Sequence, residues 1–331
     1  MARLHFSQPS GRTQHNHLPE IPLPDDINRS DNPHMFKGLS AFPLTPLNST
    51  GVDHTAFAGL VEHLVDAGVD SLGVLGSTGS YAYLDRAERK AVLREALSHT
   101  DGVPVIAGIS ALATRDVLAL ALDAEDAGAA GLLLAPMSYQ PLHDEEVFAL
   151  YAAVCNAVHT PVCVYDNPGT THFRFSDELL ERIALLPNIA SIKLPGVPSP
   201  QCEAKARVSS LRSRLPAHVT LGISGDPMAA SGLNAGCDVW YSVIGGLFPE
   251  VSLQIVRAAQ AGNANVAQAL SNRLAPLWEL FRRHGGSIRV LATAAFLLGL
   301  CDERNLPLPL HNLSGTDRDE LAAVLAALGL D

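Results

Sequence analysis

Residues 104–136 read "PVIAGISALATRDVLALALDAEDAGAAGLLLAP", and this stretch carries the pattern of most of the chain. A short apolar run, "PVIAGI" (104–109), gives way to a polar turn. An amphipathic stretch from Thr114 to Ala127 follows, and a second apolar run, "GLLLAP" (131–136), opens the next unit. Continuous apolar strands without polar alternation suit a parallel sheet covered on both faces, and the amphipathic stretch between them supplies the crossover helix.

The same unit recurs on both sides. "GLSAFPL" precedes a helical pattern over 53–67, "SLGVLG" (71–76) one over 86–97, and "GLLLAP" one over 144–158. "PVCVYD" (161–166) precedes 176–186 and "ASIKL" (190–194) precedes 201–215. "VTLGIS" (219–224) precedes 227–235, and "VWYSVI" (239–244) precedes 249–261. Eight strand–helix units in roughly 225 residues predict an α/β fold, a (β/α)8 TIM barrel. The rival, a doubly wound open sheet, calls for a GxGxxG-type phosphate loop after an early strand, and the chain has none. Beyond residue 264, "VAQALSNRLAPLWELFRRHG", "SIRVLATAAFLLGLC" and "DRDELAAVLAALGL" predict a C-terminal extension of about three helices packed outside the barrel. The expected organisation is an irregular arm over 1–35, a barrel over 36–263 and a helical extension over 264–331.

The arm is polar and proline-rich, with no strand or helix period. Its histidines, His5, His15, His17 and His34, lack cysteine partners and i, i+4 spacing, so no metal site is expected there. Apolar residues make up 47% of the 331, enough for a large core, and 17% are charged. A net charge of −11 without any basic run argues against nucleic-acid and anionic-membrane partners. Cys155, Cys163, Cys202, Cys237 and Cys301 form no CxxC pair, and their odd number without a signal pattern implies reduced thiols and a cytoplasmic protein. The apolar run "VLATAAFLLGLC" (290–301) is too short to span a bilayer.

In this fold the strand C-terminal ends and the loops after them build the active site. After the second strand comes "GSTGS", Gly76–Ser80, whose glycines let backbone approach a ligand and whose Ser77 and Thr78 hydroxyls could complete an anion nest for a carboxylate. The pentapeptide alone reads equally well as a turn entering a helix. The fifth strand ends in Tyr165, a packed aromatic or a proton relay. On the sixth strand Lys193 shares a face with Ser191, opposite Ile192 and Leu194. If the apolar pair packs under the helices, Lys193 points into the barrel, where desolvation lowers its pKa and frees the amine to attack a carbonyl. A lone strand lysine is more often snorkelling or paired. Nest, phenol and inward amine together fit a 2-oxo acid: its carboxylate on Ser77 and Thr78, its C2 carbonyl on Lys193, its protons moved by Tyr165.

On these residues the chain resembles the dihydrodipicolinate synthase/N-acetylneuraminate lyase superfamily of class I Schiff-base pyruvate aldolases. The likeness runs in order from about Phe36 to the C-terminus, through "GSTGS", "PVIAGI", "APMSYQP", "VYDNPGTT", "NIASIKLP", "SGDP" and "GCDVWYSVIGGLFP". The resemblance implies Lys193 as the Schiff-base lysine, Tyr165 and Ser77 as relay residues, and Ser77, Thr78 and Gly79 as the carboxylate loop. It implies no cofactor and no metal, a small 2-oxo acid and an aldehyde as substrates, and a homotetramer or homodimer in which a neighbour's tyrosine completes the relay.

The chain departs from that pattern in several places. Ser138 takes the position of the neighbour's tyrosine, with Tyr139 one residue on. Thr170 stands where the synthases carry an arginine for the carboxylate of aspartate semialdehyde, and a small hydroxyl does not replace a bidentate cation. "SGDPM" lacks the acidic residue of the sialic-acid lyases, and the bulky Tyr241 replaces a smaller aliphatic residue in the barrel. Tyr139, Thr170 and Tyr241 are therefore candidate substrate-side residues, and Glu203 and His172 are weaker ones. The expected activity is that of a lyase or aldolase on pyruvate or a related 2-oxo acid. Sugar-acid or 4-hydroxy-2-oxo-acid aldolase or dehydratase chemistry is the alternative, and a silent keto-acid-binding barrel is a third reading. A metal-dependent aldolase would need clustered His and acidic ligands at strand ends, which the sequence does not offer.

Overall fold

The computed structural model describes residues 35–331; the arm expected before Met35, with its four histidines, lies outside the described residues. Eight strands, Gly38–Ala41, Ser71–Val74, Val105–Gly108, Gly131–Leu134, Val162–Tyr165, Ile189–Leu194, Thr220–Ile223 and Val239–Ser242, form a closed barrel in sequence order. All ladders are parallel, and the first strand closes on the last with Gly38 opposite Val239. The open doubly wound sheet is thereby excluded.

Each strand is followed by its helix: His54–Asp66, Arg86–Ser98, Thr114–Ala127, Asp144–Ala157, Asp177–Ala184, Gln201–Arg214, Ala229–Ala235 and Pro249–Gln260. Local chemistry fixes where they start. Asp53 accepts from the Ala56 N–H at 3.0 Å, Ser176 accepts from Leu179 at 3.1 Å, and Asp85 with Glu88 closes a capping box. All but the sixth strand stop sooner than the apolar runs suggest. The second ends at Val74 because Leu75 turns to φ +56°, a left-handed backbone that leaves the ladder. A small hairpin, Leu47–Asn48 with Gly51–Val52, and a four-residue helical turn, Pro168–Thr171, are not apparent from the periodicity.

Period-two alternation sorts the strand residues into two layers. Val162 and Val164 join the large core between strands and helices, whereas Cys163 and Tyr165 face the barrel interior with Phe42, Ile106, Leu133 and Tyr241. Met35 and Phe36 belong to the interior cluster and reach Gly131 at the start of the fourth strand, so they plug the N-terminal end. On the sixth strand Ile192 and Leu194 take the outer layer, which sends Lys193 and Ser191 inward.

The C-terminal extension is present, and one of its helices is divided. It holds four helices, Ala264–Arg273, Ala275–Arg283, Ile288–Leu297 and Gly315–Leu328, rather than about three. The first expected helix is interrupted at Leu274, which ends one helix and begins the next. Pro276 has no N–H to donate and its ring obstructs the preceding turn, so it sits in the first turn of a new helix. Among the described residues no helix is long and apolar enough to cross a membrane.

Candidate active site

Lys193 lies on the barrel axis side of the sixth strand, opposite Tyr165 on one neighbour and Gly222 on the other. Its side chain is 2% exposed. Three aromatic rings surround the amine: the Nζ is 3.8 Å from the Phe42 centroid, 4.2 Å from Tyr165 and 5.4 Å from Tyr241. Two glycines make this cage possible. A Cβ on Gly73 would come within 2.2 Å of the Phe42 ring, and one on Gly222 within 2.3 Å of the Tyr241 ring. Burial pulls the Lys193 pKa down to about 7, against the opposing pull of Cys163 and Asp226. A substantial neutral fraction at neutral pH is what a nucleophilic amine requires.

The cage opens upward into a cavity of about 460 Å³ at the C-terminal ends of the strands. Lys193, Tyr165, Ser77, Thr78 and Thr170 all line it, so the structure brings these candidates together. Burial pushes the Tyr165 phenol up to about 12, while the hydroxyls of Ser77 and Ser224 draw it back. Asn167 orients Ser77 from the other side, its Nδ2 donating to Ser77 Oγ at 3.4 Å. The "GSTGS" segment turns tightly, with Leu75 and Ser80 both at φ +56° and the Ser80 N–H donating to Ser77 O. Among the described residues the backbone N–H groups of Thr78 and Gly79 have no acceptor in the chain, which leaves them free to receive a carboxylate. Gly79, the remaining candidate of this segment, does not itself line the cavity; a Cβ there would press on Leu75 N at 3.0 Å.

Two candidates are placed elsewhere. Tyr139 is 89% exposed, and its loop presents Met137 to the cavity instead. Tyr241 is fully buried beneath the lysine and does not line the cavity. Its hydroxyl shares a 2.5 Å hydrogen bond with Ser191 and accepts from Cys163 Sγ at 3.4 Å, and Thr220 donates to Ser191 at 2.8 Å. The tyrosine is thus the floor of the cage, anchored downward into the barrel. Glu203 and His172 are exposed surface residues and do not line the cavity either.

Several site residues carry weak or no local signal. Phe42 follows the first strand and Ser224 the seventh, so the strand-end rule applied to every strand finds both. Asp226 is fully enclosed and accepts from Trp240 Nε1 at 2.9 Å and from the Ile244 and Val243 N–H groups at 2.8 and 3.3 Å. Burial raises its pKa to about 6 against those donors and against Lys193. It ties the "SGDP" turn to the end of the eighth strand. Tyr81 leans over the buried guanidinium of Arg89, 5.3 Å from ring to Cζ, and Arg89 donates to the carbonyls of Gly108 and Ser110. A larger recess of about 780 Å³ lies between the 47–52 hairpin and residues 302–312, and Lys193 does not reach it.

Comparison with known proteins places the fold in a family. Residues 35–328 match the model of the dihydrodipicolinate synthetase family. A 4-hydroxy-tetrahydrodipicolinate synthase of Phenylobacterium zucineum is 30% identical over 298 residues, covering 89% of this chain and 98% of its own. A dihydrodipicolinate synthase structure from Agrobacterium tumefaciens superposes with a TM-score of 0.85 at 46% identity, over 89% of this chain and 99% of that one. A chloride-inhibited dihydrodipicolinate synthase from Acinetobacter baumannii, solved with pyruvate, gives 0.81 at 27% identity over 89% and 100% of the two chains.

Proposed function

The chain belongs to the dihydrodipicolinate synthetase family, and from that premise we propose that it is a class I lyase or aldolase that forms a Schiff base between Lys193 and pyruvate or a related 2-oxo acid. The observation that carries this reading is one amine, buried in an aromatic cage and lowered to a pKa of about 7, at the base of a cavity that is also lined by Ser77 and Thr78 of the tight turn, where the Thr78 N–H has no acceptor among the described residues. The acid's carboxylate sits on that turn, with the Ser77 and Thr78 hydroxyls. Its C2 carbonyl then faces Lys193 Nζ. The neutral amine adds to C2, and the carbinolamine loses water to give a protonated imine. That imine withdraws electrons from C3, so a C3 proton leaves and an enamine forms. The enamine then attacks an aldehyde, or the reverse sequence cleaves a carbon–carbon bond. Tyr165, coupled to the Ser77 hydroxyl, carries the protons to and from the carbinolamine oxygen.

Thr170 on the cavity rim offers no cation for the carboxylate of aspartate semialdehyde, which favours a different second substrate. The Acinetobacter relative's complex with pyruvate supports pyruvate as the first. A sugar-acid or 4-hydroxy-2-oxo-acid aldolase or dehydratase uses the same imine and is the second reading. We further propose a cytoplasmic homodimer or homotetramer, with the exposed Tyr139 loop as the part of the site that meets a neighbour.

Intact-mass spectrometry after incubation with pyruvate and borohydride tests the proposal. Wild type gains the mass of one reduced pyruvate and Lys193→Ala gains none. An unlabelled wild type would leave a silent barrel or a different oxo acid.

A further inference from the structure

We infer that the part of the substrate beyond the 2-oxo acid group carries no charge: the site takes an uncharged aldehyde in the joining direction and a 2-oxo acid with an uncharged tail in the cleaving direction. The inference rests on the Schiff-base reading above. It comes from the make-up of the cavity wall as a whole.

Among the described residues lining the cavity, Lys193 is the one cationic side chain, and there is no aspartate, glutamate, histidine or arginine. The remaining titratable groups are the phenols of Tyr81, Tyr83 and Tyr165. The wall divides into two halves. At the base are Lys193, Ser77 and Thr78, which satisfy one carboxylate and one carbonyl. The outer half is built from Asn167, Thr170, Thr171, Ser287, Met137 and Ile288, with backbone from Gly285 and Gly286. These groups offer amide, hydroxyl and apolar contacts and no ion partner.

Two guanidinium groups near the wall, Arg89 and Arg282, are already engaged. Arg89 lies below Tyr81 and spends its N–H groups on the Gly108 and Ser110 carbonyls. Arg282 lines a shallower adjoining groove and is paired with Glu279. A tail carboxylate or phosphate entering the outer half would lose hydration and gain no opposite charge, and an ammonium would fare the same. An uncharged tail pays neither cost, and a cavity of about 460 Å³ leaves room for one beyond the three carbons of pyruvate.

The corresponding cleavage is balanced without any further reactant. The C4 hydroxyl of the imine-bound acid gives up its proton to a base, the C3–C4 bond breaks, its electron pair forms the C2–C3 double bond, and the C=N π pair moves to the iminium nitrogen. An uncharged aldehyde and an enamine result. Protonation at C3 and addition of the water released during imine formation then return pyruvate and the free amine.

The test is concentration-dependent borohydride labelling of the intact wild-type protein by two nearly isosteric acids, 2-oxoglutarate and its 5-methyl ester, with pyruvate beside them. The ester is expected to reach half-labelling at a concentration at least about tenfold below that of 2-oxoglutarate. Equal or tighter labelling by 2-oxoglutarate overturns the inference while leaving the Schiff base intact. Labelling by pyruvate alone also overturns it, because the outer half would then take no tail. Absence of labelling by all three, including pyruvate, overturns the Schiff-base reading itself.

Discussion

Tyr165 and Lys193 face one another across adjacent parallel strands, and the Lys193 Nζ stands 4.2 Å from the centre of the Tyr165 ring. The ring helps to enclose the amine, and the phenol hydroxyl continues upward to Ser77 and Ser224. One side chain therefore serves the packing of the nucleophile and the movement of its protons, and the two roles can be separated. Tyr165→Phe keeps the ring and removes the hydroxyl. Exchange of pyruvate C3 hydrogens in heavy water, followed by NMR, is expected to slow by about 10²–10⁴-fold. The thermal midpoint should barely move, and exchange at the wild-type rate would remove Tyr165 from the relay.

The lysine sets a pH dependence of known sign. With its pKa near 7, the neutral amine accumulates as pH rises through 7. The rate of imine trapping at low pyruvate should therefore climb between pH 6 and 8 and level off above, as the amine becomes fully neutral. A rise that continues to pH 10 would mean an ordinary, solvated ammonium.

The same shift bears on stability. A lysine whose pKa falls on folding binds its proton less readily in the native state, so burial costs stability at and below neutral pH. That cost fades as pH rises from 7 toward the unfolded value of 10.5. Lys193→Met should stabilise the fold by about 1–4 kcal/mol at pH 7. The gain should shrink toward zero near pH 10, as denaturant titrations at the two pH values would read. A gain independent of pH would point to packing rather than charge.

The cage depends on absent side chains as much as on present ones. Gly222→Ala puts a methyl group within 2.3 Å of Tyr241 Cε2 and should cost about 1–3 kcal/mol. Tyr241→Leu in the same chain should restore part of that loss by freeing the space. Additive losses in the double variant would show that the two positions do not compete. Denaturant midpoints of the three variants decide the point.

On the cavity rim, Thr170→Arg supplies the missing cation. Half-labelling by 2-oxoglutarate should then need roughly tenfold less acid, since a charge-assisted bidentate pair becomes available. An unchanged requirement would mean that the tail does not approach residue 170.

The barrel was legible because a parallel strand covered on both faces must be apolar throughout, as Gly131–Leu134 and Val162–Tyr165 are. The inward direction of Lys193 followed from Ile192 and Leu194 on either side of it. Its cage was not legible. Phe42 follows the first strand, Tyr165 and Tyr241 lie on the fifth and eighth, and they meet only because the barrel closes. The same holds for Asn167 beside Ser77, 90 residues apart in the chain. The size of Tyr241 marks it in the sequence as a pocket residue, whereas its downward hydrogen bonds to Ser191 and Cys163 leave no sequence signal. The continuous amphipathic pattern around Leu274 concealed the break that Pro276 imposes.

The central claim concerns one amine among four, since the chain's lysines are Lys37, Lys90, Lys193 and Lys205. The most direct measurement is proteolytic mapping of wild-type protein reduced with borohydride in the presence of pyruvate. The reduced group should lie on the peptide holding Lys193 and on no other. A group on Lys37, Lys90 or Lys205, with Lys193 unmodified, would contradict the account.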